Sequence, residues 1–229
     1  MLHNYDKEDK ILVAVDCIVF GFDQETLKVL LTPRKRGPYQ GKWSLIGGFL
    51  KKNEALDDAA SRILHRVTGD QDVFKEQLYG FSCVERDPGE GAISVAYSAL
   101  INIENLNKEF IQENHAEWFS LSEVPHLIFD HNKILAKGIK RLQIRILTQP
   151  VAFELLPAKF TFRQLQKLYE DILKRSLDKR NFVNKIKSLD ILTKLNEKDM
   201  SSSTKKSYLY KFIRWKFYDK LESDFYLKL

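Results

Sequence analysis

Residues 11–20 are apolar at almost every position, the pattern of a strand covered on both faces and therefore central in its sheet. Asp16 interrupts that run, and a carboxylate in an apolar layer must be paired or hydrogen-bonded. Its partner is either a structural group, such as a nearby arginine, or a ligand hydroxyl. Residues 27–32 read as a second strand and residues 43–46 as a third that runs into Gly47 and Gly48. Residues 79–84 and 92–103 give two more, joined by polar, turn-forming residues 85–90. Leu56, Ala59, Ala60, Ile63, Leu64 and Val67 recur at helical spacing, which predicts a helix over residues 55–68, ended by Gly69, with one face on a core. A short strand at 117–119, a turn at 121–124 and a helix at 132–147 follow. Strands and helices mixed in this order predict an α/β/α sandwich.

Beyond Gln149 the pattern changes. Pro150 and Pro157 punctuate a linker segment. Thr161, with Gln164 three residues on, forms a capping box before a helix carrying Leu165, Leu168, Tyr169 and Ile172 on one face. Asp178 caps a second helix, residues 179–188, that buries Phe182 and Ile186. Strands at 191–195 and 208–213 flank a polar turn. A helix-turn-helix followed by a hairpin is a winged helix, so residues 1–150 and 151–229 are expected to form two domains.

Charge sharpens that division. Residues 151–229 hold 18 basic and 10 acidic side chains, a net of +8, which leaves −2 for residues 1–150. On the second helix Lys179, Arg180, Asn181, Asn184, Lys185 and Lys187 lie opposite the apolar side, as insertion into a DNA major groove requires. Thr161, Arg163 and Gln164 at the start of the first helix are grouped with them as DNA-binding candidates. Lys205 and Lys206 near the wing tip are placed to reach phosphates or the minor groove. At 44% hydrophobic and 12% aromatic, the 229 residues can bury real cores. The charged first ten residues lack an apolar segment suited to secretion, and no run is long enough to span a membrane. Cys17 and Cys83 sit in apolar runs as core thiols, and a cytoplasmic location is expected.

Gly48, Glu54, Arg62 and Gly69 fall at the spacings of the Nudix box, and the entry from Trp43 to Phe49 resembles the same family. That resemblance implies a loop-helix-loop that holds magnesium through glutamates and cleaves nucleoside diphosphates linked to another group. In its register the three helix glutamates are replaced by Ile63, Arg66 and Val67, which offer magnesium none of the hard oxygens it takes. No catalytic residue, metal or cofactor is therefore expected. Joined to a winged helix, and with Leu165-Gln166, Leu168-Tyr169-Glu170 and Asp178, Arg180-Asn181-Phe182, the chain resembles the Nudix-related transcriptional regulators of the NrtR type. Residues 15–22, 43–49, 86–90 and 127–131 are similar to its arabinose-responsive AraR-like branch. The resemblance implies a homodimeric bacterial repressor that senses L-arabinose or a related pentose and binds a palindromic double-stranded operator. Val183 stands where such proteins tend to carry a further basic residue.

A pentose pairs its hydroxyls with polar groups and lays its C–H faces on aromatic rings. Asp16, Lys42, Trp43, Ser44, Arg86, Asp87, Asp130 and His131 supply those groups if their loops converge. Taken singly, Trp43 is as well explained by core packing, and His131 is expected to be an exposed helix-start residue. Two rivals stand beside this reading. One is a regulator of the same architecture that senses ADP-ribose, with Arg34, Lys35 and Arg36 as phosphate donors. The other is a working hydrolase, with Glu54, Asp57, Asp58 and Glu85 as its metal-binding carboxylates.

Overall fold

The computed structural model describes residues 9–82, 91–200 and 206–216. The expected α/β/α sandwich followed by a winged helix is present. Strand β1 (Leu12–Phe22) is central, and side chains leave its two faces alternately. Val15, Cys17 and Val19 pack under helix α1 (Leu56–Thr68). Ile18, Phe20 and Phe22 join the opposite core under helix α3 (His131–Thr148). The α1 helix ends where Gly69 adopts the left-handed conformation at φ 73° and bonds back to the His65 carbonyl. Cys17 is buried, and burial raises its thiol pKa well above the ordinary range, which makes it an inert core group.

Strand order is β3 (Trp43–Ser44), β2 (Leu27–Pro33), β1, β6 (Ala92–Asn102), β5 (Phe74–Phe81), with β4 (Ile46–Phe49) paired to β1 and β7 (Glu117–Ser120) to β2. β1 lies parallel to β6 along its whole length. On its other edge the neighbour changes. Val19 to Phe22 pair with β2, whereas Ala14 to Cys17 pair with β4. The change of neighbour falls at Ile18, two residues from Asp16, and the opening between the two strands becomes the pocket.

Two predicted elements are displaced. The strand expected at 79–84 is β5, which starts at Phe74; Lys75, Glu76 and Gln77 hide it because an edge strand needs no apolar alternation, and its place comes from pairing with β6. Cys83 and the expected loop 85–90 fall outside the described residues. Helix α2 (Lys108–Glu113), capped by Asn107, is too short to show a period. The expected linker is a 3-10 helix, Pro150–Leu155, that buries Val151, Ala152, Phe153 and Leu155. These residues pack into the core because it continues beneath them from the sheet into the winged helix.

That second half comprises α4 (Phe162–Leu173), α5 (Lys179–Ser188) and the antiparallel pair β8 (Leu192–Lys198) and β9 (Tyr208–Phe212). Thr161 closes the capping box with Gln164, an arrangement worth about 1 kcal/mol. The inter-helix turn is held by two α4 side chains. Gln166 donates to the Leu177 carbonyl (2.9 Å), and Glu170 accepts from the Leu177 amide (2.9 Å). Asp178 then caps α5 by accepting from the Asn181 amide at 2.8 Å. Phe182 packs edge-on against Tyr169, 5.4 Å between ring centres, which fixes the helix pair.

The halves are joined by polar contacts as well as by the shared core. The Leu27 amide donates to Asp171 (2.5 Å), Gln143 to the Ile172 carbonyl (2.9 Å), Gln164 to Gln24 (2.6 Å) and the Tyr169 hydroxyl to the Ile146 carbonyl (3.3 Å). Among the described residues no helix is long and apolar enough to cross a membrane.

Candidate functional site

The parting of β2 and β4 leaves a cavity of ≈ 400 Å³. Its floor is polar. Asp16, only 6% exposed, accepts from the Ser94 hydroxyl at 2.5 Å and lies 3.6 Å from Nε2 of His131. The Asp16 carboxylate also lies against Gly47, its register partner on β4, and a Cβ there would collide with it. The missing side chain at Gly47 is what makes room for this carboxylate against the β4 backbone.

His131 is 5% exposed, which corrects the expectation of an exposed helix start. The segment before α3 folds inward, since the Ile128 amide bonds to the Trp43 carbonyl and Phe129 turns left-handed at φ 51°. Nδ1 of His131 accepts from the Leu45 amide at 3.1 Å, so a single ring proton sits on Nε2, facing Asp16. Ser44 also lines the cavity, donating to the Leu45 carbonyl at 2.8 Å.

Three other expected sugar contacts do not gather there. Trp43 alternates to the far side of β3 and packs edge-on against Phe119 at 4.9 Å, which is core packing. Lys42 is exposed and Asp130 occupies the position before α3; neither lines the cavity. Arg86 and Asp87 lie outside the described residues.

In their place the wall carries Thr32, Arg34, Lys35, Phe49, Arg66, Asn114 and Phe129. Arg34 lies over the Phe129 ring, 4.8 Å from its centre, while Phe129 meets His131 and Tyr39 edge-on. Asn114 ties two cationic segments together. Its side-chain oxygen accepts from Lys35 (3.4 Å) and its amide donates to the Arg66 carbonyl (2.8 Å). Arg66 itself donates to the Gly47 carbonyl at 3.0 Å. Three cations thus face a pocket with a carboxylate floor, a pattern suited to a ligand carrying both phosphate and hydroxyl groups. Asn114 has no signal in the sequence, because only the fold brings α2 beside the end of α1.

In the winged half, Lys179, Arg180, Asn181 and Asn184 are exposed along α5, and Lys185 is half-buried. Arg163 is exposed on α4 and Lys206 on the approach to β9, whereas Lys205 lies outside the described residues. Thr161 is 2% exposed with its hydroxyl in the capping box, and Gln164 is spent on that cap and on Gln24. Both residues hold α4 in place from within the chain. On the wing Lys194 and Lys198 bracket Tyr208, the former 3.6 Å from its ring centre.

Known proteins share both halves. Residues 10–142 match the NUDIX domain and residues 152–212 the NrtR DNA-binding winged helix domain. The ADPR responsive transcriptional repressor NtrR of Acinetobacter baylyi is 30% identical over 217 residues, 92% of this chain and 86% of that protein. The crystal structure of Shewanella oneidensis NrtR superposes with a TM-score of 0.78 at 27% identity, covering 88% of this chain and 94% of that one. The NUDIX domain of the same protein, cocrystallised with ADP ribose, matches 62% of this chain and 94% of its own length at 27% identity and a TM-score of 0.52. With this order of domains, the cationic pocket in the first and the exposed basic helix in the second, the chain belongs to the NrtR-type Nudix transcriptional regulators.

Proposed function

We propose that the protein is an ADP-ribose-responsive repressor, in which effector bound in the Nudix half loosens a homodimer's hold on operator DNA. The observation that carries this reading is the convergence of Arg34, Lys35 and Arg66 on one cavity above the Asp16 floor. Cations at the wall pair with the diphosphate, and the floor takes a ribose hydroxyl. The names of the Acinetobacter and Shewanella relatives support the same effector. The arabinose reading has less support, since of its six contacts among the described residues three, Asp16, Ser44 and His131, line the cavity and three, Lys42, Trp43 and Asp130, do not. It is kept as a second reading because the Asp16, Ser94 and His131 floor suits a free sugar equally well.

Hydrolysis has no part in this function. Operator binding is assigned to the exposed face of α5, with Lys179, Arg180, Asn181, Asn184 and Lys185 toward the major groove and the wing on the backbone. A mobility-shift titration tests the whole. ADP-ribose is expected to weaken operator binding about 5–150-fold, the usual span of allosteric coupling, and to raise the melting temperature. Release by L-arabinose instead would establish the second reading, and indifference of the operator complex to both would overturn the effector assignment.

A further inference from the structure

In the box helix the residues that stand where the family keeps magnesium-binding glutamates do not fit a divalent cation. Ile63 is buried, with its side chain 3.3 Å from where a Gly48 Cβ would stand, and Val67 is buried beside it. Glu54 is already committed: it accepts twice from Arg62, at 2.5 and 2.7 Å, and from the Lys51 amide at 2.9 Å. The Arg62 hydrogen bonds hold its carboxyl down to about 2. Asp57 accepts from the Tyr97 hydroxyl at 2.7 Å. Glu85 lies outside the described residues, and among those described no three His, Cys, Asp or Glu side chains gather as a metal site.

Arg66, between Ile63 and Val67, occupies the remaining one of these positions and reaches the cavity. Its guanidinium donates to the Gly47 carbonyl, which anchors it above the floor where Asp16 touches the same glycine. A guanidinium keeps its charge at any working pH and presents a planar fork of donors to phosphate oxygens. Asn114 fixes Lys35 to the same turn of helix.

We propose that Arg66 takes the place of the metal, with Lys35 beside it, so that this pocket grips a diphosphate without any divalent cation. The proposal rests on the reading of the pocket as a site for a diphosphate-bearing effector. It makes the protein a sensor of the intact effector at any magnesium level, because charge neutralisation is built into the chain.

Calorimetric titration of the full chain with ADP-ribose and with inorganic pyrophosphate, each in EDTA and in excess magnesium, tests it. ADP-ribose affinity is expected to be equal in the two media within about twofold, and Arg66→Ala to lose about tenfold or more for both ligands. Arg66→Lys should recover part of that loss, and Arg66→Gln, which keeps a donor for Gly47, should melt like the parent yet bind as weakly as the alanine variant. Binding of ADP-ribose that vanishes in EDTA, or an Arg66→Gln protein that binds like the parent, overturns the proposal while leaving the effector reading intact. Metal-free pyrophosphate binding that needs Arg66, without ADP-ribose binding, keeps the proposal and overturns the effector. If neither ligand binds in either medium, both fall.

Discussion

Phe129 holds a backbone conformation, φ 51°, that costs a bulky residue of order 1–2 kcal/mol. Strain of this kind persists where the surroundings fix it, and here it presents an aromatic ring to the cavity beneath Arg34. Phe129→Gly and Phe129→Ala both remove the ring, but only glycine releases the strain. The glycine variant is expected to be more stable than the alanine variant by about 1 kcal/mol in urea unfolding, while the two lose ADP-ribose affinity alike. Equal stabilities would show that the left-handed turn relaxes without its ring. Sequence exposed Asp16, because a lone carboxylate in an apolar run has to be explained. It misjudged His131, whose neighbours give no hint that Phe129 turns the chain inward, and it had no means of finding Ser94 or Asn114, which reach the site through sheet register and a short helix.

Helix α3 runs from the pocket, at His131, to the winged half, where Gln143 and Ile146 meet α4. It is pinned to β5 by Glu76, which accepts from Arg141 at 2.8 Å and from Arg145 at 2.9 Å. Burial raises the Glu76 pKa, but the Arg145 and Arg141 hydrogen bonds outweigh it and hold the carboxyl below its ordinary range. Its stabilisation is therefore full above the unfolded pKa and is lost as pH falls through the lowered one. Glu76→Gln is expected to cost about 1–2 kcal/mol at neutral pH, between exposed and buried pairs. The difference from the parent should close in acid, as followed by melting curves. On α5, Arg180→Ala should weaken operator binding and reduce its salt slope by about 1, with effector affinity unchanged. Helices α1, α3, α4 and α5 were legible because their period and caps lie within single segments. β5 was not, since an edge strand takes its place from a partner rather than from its own alternation.

Across the whole molecule one apolar cluster runs from Ile18 and Phe20 of the sheet through Phe153 to Leu165, Phe182 and Ile191. A boundary at residue 150 marks a change of pattern, yet the segment that follows it is interior. Denaturation of the full chain is accordingly expected as one cooperative transition, with near- and far-ultraviolet circular dichroism superimposing; two separated transitions would mean that the halves fold independently. Regulators of this kind invite exchange of their reading heads, so that one sensor can be set to a new operator. Here the graft would carry half of a hydrophobic seam. Val151, Phe153 and Leu155, together with the Leu27–Asp171 and Gln24–Gln164 contacts, would have to be transplanted or matched in the recipient. A chimaera cut at the proline would inherit the right DNA-binding surface on a body that no longer closes.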